Sequence, residues 1–435
     1  MPPRQFRVCS YAPNFSQDAK GHHFPVLMRL HEQITKRGFQ FEVITSKNID
    51  KKEYNCHVSQ IESSINDSNH YYKISKVRKI TKELKTVFSR SDLIIFSEGN
   101  LSQLLSILST ILTKNIFGKK IIFNTHKWFD FVVESNDNLK VKRLARMSLE
   151  LGGKLGLTLC SETSELAKEL ELAISRPIHR YPIFSTFTAT EIVGSKRNLS
   201  HPKDILVVEQ TRDDFEVFLG ILNEIDEPKK SRIRVVYRNG TEKDRKELDS
   251  ISIGYLFGEL SRQDYVNQIS GSKITILFYT FQYYSRYGSS GRMLDAIELK
   301  RFVGVPRLSN LDFEFGTHAQ QYVRNFEFNP KSVNQLIDFF DSMNPEMLTL
   351  DMTNSIEASQ FAVEKIMNIF DASKSIDSGT RSERIFLSFK LALILILWRC
   401  SGLIRRLIDV LYIRFKSICK RVSFIDGVEQ LTKTN

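Results

Sequence analysis

Cysteine is scarce: five in 435 residues, at Cys9, Cys56, Cys160, Cys400 and Cys419. They lie far apart with no CxxC pair, which excludes a disulfide scaffold and leaves no readable zinc site. A reducing, cytoplasmic compartment is expected. Proline is also sparse, at 11 residues, which excludes collagen-like and proline-rich chains. The amino terminus lacks an apolar stretch. Phe6–Ala12 runs straight into Pro13, Asn14, Ser16, Gln17 and Asp18, so no secretory signal is expected. Ser-His-Asp sets, HExxH, Walker loops, EF-hands and metal-binding DxD pairs on strand ends are all missing, and Asp213-Asp214 is not such a pair. Chemistry without a tightly bound metal or other cofactor is therefore expected.

What is present is apolar material and positive charge. Hydrophobic residues make up 41% of the chain, with 31 Phe. Over this length that is enough for two cores, and so for two domains. The formal charge is +12, from 62 Lys+Arg against 50 Asp+Glu. Such a balance points to a polyanion: nucleic acid, an acidic membrane or phosphorylated substrates.

Apolar runs alternate with helical spacing. Strands are expected at Phe6–Tyr11, Phe39–Thr45, Ser91–Ser97, Lys120–Asn124 and Leu155–Cys160. Helices are expected at His22–Arg37, Leu101–Leu112, Lys140–Leu151 and Glu162–Leu172. Continuous apolar strands separated by helices imply a parallel sheet covered on both faces. The pattern fades from Arg180 to Pro202 and restarts at Asp204–Glu209. From there it alternates to a helix at Ile356–Phe370. The expected domains are 1–183, a linker at 184–203, 204–375, and a tail at 376–435. Two such α/β domains bind ligand at the carboxyl ends of their strands.

From Phe6 to Phe370 this order resembles the GT-B glycosyltransferases, particularly the large retaining family that uses nucleotide-sugar donors. Gly21-His22-His23 followed by a helix ending Lys36-Arg37-Gly38-Phe39 is similar to that family's opening glycine loop, helix and second strand. Phe123-Asn124-Thr125-His126 resembles its strand ending in a His, and Asp204–Arg212 its strand reaching a phosphate-binding Arg. The run from Gly288 through Asp295 to Pro306 resembles its nucleotide-binding loop, helix and strand. The sequence departs from the pattern at Asp295, where Glu is usual. It lacks the first Glu before the helix, and no Lys follows Arg212. Lys300-Arg301 replaces a small-residue turn. The resemblance implies two Rossmann-like domains facing a cleft, with the acceptor on the first and the donor on the second. Transfer would be retaining.

The residues carry chemistry of their own. The stretch Gly288–Gly291 feeds a helix, where backbone N–H groups and the hydroxyls of Ser289 and Ser290 suit a diphosphate; an ordinary N-cap at Ser290 is the plain alternative. Asp295 could accept both hydroxyls of a ribose, or be a solvated or dipole-compensating acid near a helix start. Arg212, Arg286 and Arg292 are candidates to neutralise a departing nucleoside diphosphate. His126, which the resemblance sets against the donor sugar, is the catalytic candidate. Gly21 and His22 are candidates for the acceptor-side loop.

Positive charge is concentrated. Arg384–Arg421 holds nine Lys/Arg and one Asp, Lys73–Arg90 seven against Glu83, and Lys140–Arg146 four. Together these exceed the charge of the whole chain, so the remainder is acidic. Ile385–Trp398 is apolar but for Lys390, and positions 404, 407, 408, 411, 415 and 418 share a helical face. An interfacial helix with snorkelling cations is expected, a membrane span or a helix packed on the protein being the alternatives. The expected protein is a glycosyltransferase acting on a glycan or lipid-linked acceptor. It would be peripheral or C-terminally anchored at an anionic membrane surface and bind no nucleic acid. A non-catalytic scaffold of the same fold is the alternative, and a nucleic-acid-binding protein a more distant one.

Overall fold

The computed structural model describes residues 5–399 except 13–22, 46–56, 61–73, 126–138, 183–202 (save Phe187), 279–290, 307–320 and 349–356. Positions 98, 115, 210–211, 238, 259 and 377–378 are likewise outside the description. The first domain is a parallel sheet of seven strands in the order β3-β2-β1-β4-β5-β6-β7. These are β1 (Arg7–Tyr11), β2 (Gln40–Thr45), β3 (His57–Gln60), β4 (Leu93–Phe96), β5 (Lys120–Asn124), β6 (Thr158–Ser161) and β7 (His179–Arg180). Its helices are α1 (His23–Lys36), α2 (Ile74–Arg90), α3 (Leu101–Lys114), α4 (Leu139–Lys154) and α5 (Ser164–Ile174).

Central strands read as unbroken apolar runs because both faces are covered. In β4 all four residues are buried. Ile94 and Phe96 enter the core beneath α2, α3 and α4, while Leu93 and Ile95 enter the opposite core beneath α1. The register pairs Val8 with Phe41 on one side and Leu93 on the other. Gly38 makes the turn from α1 into β2 at φ +77°, a conformation that favours glycine.

The second domain is a six-stranded parallel sheet, order β10-β9-β8-β11-β12-β13. Its strands are β8 (Ile205–Glu209), β9 (Ile233–Tyr237), β10 (Gly254–Phe257), β11 (Ile274–Phe278), β12 (Phe302–Pro306) and β13 (Val323–Phe326). Helices α6 (Arg212–Leu222), α7 (Glu227–Lys230), α8 (Glu242–Ser250), α9 (Arg262–Ser270), α10 (Gly291–Glu298) and α11 (Pro330–Asp341) complete it. At the amino-terminal edge of this sheet Arg232 bonds both Asp204 and Asp341, and Lys273 also reaches Asp341.

The last two described helices return to the first domain. Ile366, Met367 and Phe370 of α12 (Glu357–Ala372) join Val8, Leu27 and Phe41 in its core, and Arg37 grips Asp371 through both carboxylate oxygens at 2.8 and 3.1 Å. Ile376 then exchanges backbone hydrogen bonds with Gly118 and Lys119 ahead of β5. The sequence places α12 wholly with residues 204–375. Its apolar face fills a gap in the first domain while the helix also packs on α10 of the second, because the spacing that marks a helix does not say which core receives it.

Helix α13 (Arg381–Arg399) also departs from expectation. It packs on α3 and α4, with Leu391, Leu393 and Ile394 buried in the first core. Lys390, read from sequence as a cation reaching toward water, is buried, and its Nζ lies 3.2 Å from Glu150 Oε1 of α4. The alternative of a helix packed on the protein therefore describes residues 381–399. No described helix is long and apolar enough to cross a membrane. The amphipathic stretch from 404 onward lies outside the described residues.

Candidate functional site

In each sheet the chain starts in the middle, builds outward to one edge, then crosses back. The crevice of a doubly wound sheet forms where that reversal occurs. In the second domain it falls between adjacent strands β8 and β11. Arg212 opens α6 shortly after β8 ends, and Gly291 opens α10 after the chain leaves β11. Topology therefore sets two of the sequence-predicted features, the Arg and the start of the nucleotide-loop helix, after adjacent strands. Arg286, Ser289 and Ser290 lie outside the described residues.

Arg212 is held on two sides. Its Nη1 donates to Asp244 Oδ2 and its Nε to Glu216 Oε1, both at 2.7 Å. The guanidinium also stands 5.4 Å from the centre of the Phe215 ring, a favourable cation–π placement. Asp244 is fully buried and closes a capping box with Thr241 at the start of α8. Burial pushes its carboxyl up, but Arg212 and Thr241 outweigh this and hold it below the usual carboxylate range. The Arg212 side chain itself remains 41% exposed. Sequence reading singled out Arg212 but missed Asp244 and Glu216. Glu216 is one helical turn away and was findable; Asp244 comes from the next β–α unit and was not.

In α10, Asp295 is fully buried together with Met293, Leu294 and Ala296, which excludes a solvated acid. Arg292 is half-buried. Glu298 and Arg301, not proposed from sequence, are both buried as well. The helix ends in a Schellman turn: Arg301 N–H donates to Ala296 O and Lys300 N–H to Ile297 O, with Lys300 at φ +52°. A lysine thus occupies the left-handed position that glycine usually takes.

In the first domain the reversal lies between β1 and β4. The carboxyl ends of its strands carry polar side chains that are nonetheless buried: Ser10, Thr45, Asn124, Thr125, Ser161 and Glu162. Asn124 Nδ2 donates to Ser97 O at 2.8 Å, and Gly99 N–H donates to Asn124 O at 2.9 Å. Tyr181 OH lies 3.4 Å from Ser97 Oγ. Burial pushes the Tyr181 phenol up, against a smaller opposing effect of Ser97, so it stays protonated. Ser10 Oγ, Asn124 Oδ1 and Ser161 Oγ have no hydrogen-bond partner among the described residues. A strand end lined with hydroxyls and an amide suits a hydroxyl-rich ligand. His126 follows Thr125 directly but lies outside the described residues, as do Gly21 and His22. Among the described residues no three His, Cys, Asp or Glu side chains are grouped to hold a metal.

No protein-family profile matches the chain, and no curated protein matches it by sequence. Solved structures do match. A glycosyltransferase from Rickettsia africae ESF-5 aligns with TM-score 0.52 and 11% identity over 91% of this chain and all of its own. The catalytic domain of starch synthase IV from Arabidopsis thaliana, bound to ADP and acarbose, aligns with TM-score 0.55 and 10% identity over 85% of this chain and 99% of its own. Anabaena HepE, in complex with UDP and glucose, gives 0.53 and 9% over 84% and 97%. The chain has the GT-B fold. In GT-B terms β1–β7 form the first Rossmann-like domain and β8–β13 the second, and the α12 crossover ties the end of the second back to the first.

Proposed function

We propose that the protein is a glycosyltransferase that takes a sugar from a nucleotide-sugar donor. The observation that carries this reading is that α6, opened by Arg212, and α10 follow β8 and β11, the adjacent strands at the reversal point of the second sheet, within a GT-B fold. The donor diphosphate sits against the amino end of α10, where Gly291 with Ser289 and Ser290 supply N–H and hydroxyl donors. Arg212, Arg286 and Arg292 oppose the charge that builds on the leaving oxygen, which is largest in the transition state. Asp295 accepts the hydroxyls of the donor ribose. His126 contacts the donor sugar, and the polar strand ends of the first domain, with Gly21 and His22, take the acceptor hydroxyl. Transfer is of a hexosyl group with retention, needs no tightly bound metal, and goes to a glycan or lipid-linked acceptor at the cytoplasmic face of a membrane. The nucleotide complexes of the starch synthase and HepE support a nucleotide-bearing donor here.

One observation favours a second reading, a scaffold without catalysis: Asp244 and Glu216 already oppose the charge of Arg212. A thermal-shift screen against nucleotide sugars separates the two. A ligand that binds only the folded state raises the melting temperature, and release of nucleoside diphosphate then reports turnover. Binding with turnover supports the transferase. No shift with any nucleotide sugar at millimolar concentration supports the scaffold.

A further inference from the structure

The helical layer on the α2 side of the first sheet presents an unusual outer surface. Helix α3 is buried from Leu101 to Leu108, because the sheet lies beneath it, α2 and α4 flank it, and α13 packs against it from the carboxyl end of the chain. On α13, Ile385, Phe389 and Ile396 are 62%, 44% and 48% exposed. Their spacing, with exposed Ala392 between them, puts all four on one helical stripe. The opposite stripe is the one sunk into the core through Lys390, Leu391 and Ile394. Scattered exposed apolar side chains are ordinary, but an aligned stripe on the outermost helix is not.

Helix α2, which also packs against α3, is cationic. On α2, Arg78, Lys82 and Lys85 are exposed at positions i, i+4 and i+7, while Val77, Ile80, Leu84 and Phe88 face the core. Arg143 of α4 is exposed on the same layer. Acids are fewer on these elements: Glu83 on α2, Glu150 on α4 and Glu383 on α13. Glu383 accepts from the Thr380 amide and hydroxyl at the start of α13, and Glu150 is turned inward to Lys390 and Lys154.

We infer that this side of the first domain, the α13 stripe together with the α2 cations, both packed on α3, docks on an anionic lipid bilayer. Ile385, Phe389 and Ile396 enter the headgroup region, while Arg78, Lys82 and Lys85 meet lipid phosphates. A second copy of the chain is the poorer occupant, because a two-fold interface would bury the α2 cations against a copy of a face whose exposed charges are mostly positive. The docking is independent of the donor chemistry proposed above, and it locates the membrane contact on folded helices rather than on the carboxyl-terminal residues.

Vesicle co-sedimentation of the full chain tests it, with phosphatidylcholine vesicles lacking or containing phosphatidylglycerol. The wild type is expected to partition onto the anionic vesicles only, and less as salt rises. Ile385→Ser combined with Phe389→Ser, at exposed positions that leave the core intact, is expected to lower partition at least tenfold. Each of Lys82→Glu and Lys85→Glu is expected to lower it fivefold or more, since one neutralised basic charge alone changes partition about fivefold. Unchanged melting curves confirm that the variants fold. Wild-type partition in all three variants would assign binding elsewhere and overturn the inference. So would equal binding to neutral vesicles, or a lipid-free dimer that the serine variant converts to monomer. Vesicle binding by a protein that takes no nucleotide sugar would sink the transferase reading while leaving this one standing.

Discussion

Lys390 Nζ of α13 lies 3.2 Å from Glu150 Oε1 of α4, with the lysine side chain 2% exposed and the glutamate 33% exposed. The only charge interrupting the apolar run of the last described helix therefore fixes that helix on the first domain. Removing Glu150 strands a buried ammonium. Glu150→Gln is expected to cost about 2–3 kcal/mol, less than the ~3–5 of a fully buried pair because the carboxylate is partly solvated. Lys390→Met keeps the volume without the charge and is expected to fall within about 1 kcal/mol of wild type. Urea denaturation of the two variants distinguishes these costs.

The same pair makes stability acid-sensitive. Burial pushes the Glu150 carboxyl up, but Lys390 and, less strongly, Lys154 pull it below its ordinary range. A depressed folded-state pKa gives stability that is complete above the unfolded value, about 4.3, and is lost as pH falls through the folded value. Melting temperature is expected to drop below about pH 4.3 in the wild type. Glu150→Gln should flatten its share of that drop; identical acid profiles would count against the pairing.

Arg212 is oriented by Asp244. Asp244→Asn keeps an acceptor for the Thr241 cap but removes the charge that aims the guanidinium. With a nucleoside diphosphate as titrant, Arg212→Ala is expected to weaken binding about tenfold to a hundredfold, the worth of one charge-assisted hydrogen bond of ~1.5–3 kcal/mol. Asp244→Asn is expected to weaken it less. Calorimetric titration of both variants measures the two effects, and a loss from Asp244→Asn larger than from Arg212→Ala would rule out this ordering.

Lys300 carries a left-handed φ of 52°. Lys300→Gly relieves that conformation and is expected to stabilise by about 0.5–1 kcal/mol, whereas the β-branched Lys300→Val is expected to destabilise. At Gly99 the obstacle is space: a Cβ would stand 2.8 Å from the Asn124 carbonyl oxygen and collide with the Phe123 ring. Gly99→Ala is expected to cost about 1–3 kcal/mol. Chemical denaturation midpoints report all three.

Two thiols are shielded. Burial raises both, pushing Cys9 up to about 12 and Cys160 also well above its ordinary value, and both are buried beneath helices. Alkylation at neutral pH followed by peptide mapping is expected to leave Cys9 and Cys160 unmodified in the native protein and to label them after unfolding. Prompt native labelling of either would contradict the packing.

The alternating pattern of β-strands and helices was legible because parallel strands buried on both faces leave unbroken apolar runs. Lys120–Asn124 has the same bounds in sequence and structure. Strands β3 (HVSQ) and β13 (VRNF) were not legible, since edge strands carry polar residues and are short. Arg212 was legible from its place after a strand, but the partners that fix it were not, because Asp244 reaches it across 32 residues of chain. The destination of α13 was misread for a related reason: Lys390 looks like a cation seeking water until Glu150 is placed opposite it.

The crossover of α12 has a consequence for biosynthesis. Apart from Phe187, the cores of the second domain come from one continuous stretch, Ile205 to Leu348 among the described elements, and are complete once that stretch has left the ribosome. The first domain begins earlier but finishes later. Val8, Leu27 and Phe41 must wait for Ile366, Met367 and Phe370, so the amino-terminal half leaves the ribosome with one apolar face uncovered. Domains usually mature in the order they are made. Here the order of completion is inverted, and a nascent chain stalled before residue 357 would hold a finished second domain beside an unfinished first, the form on which chaperones would be found.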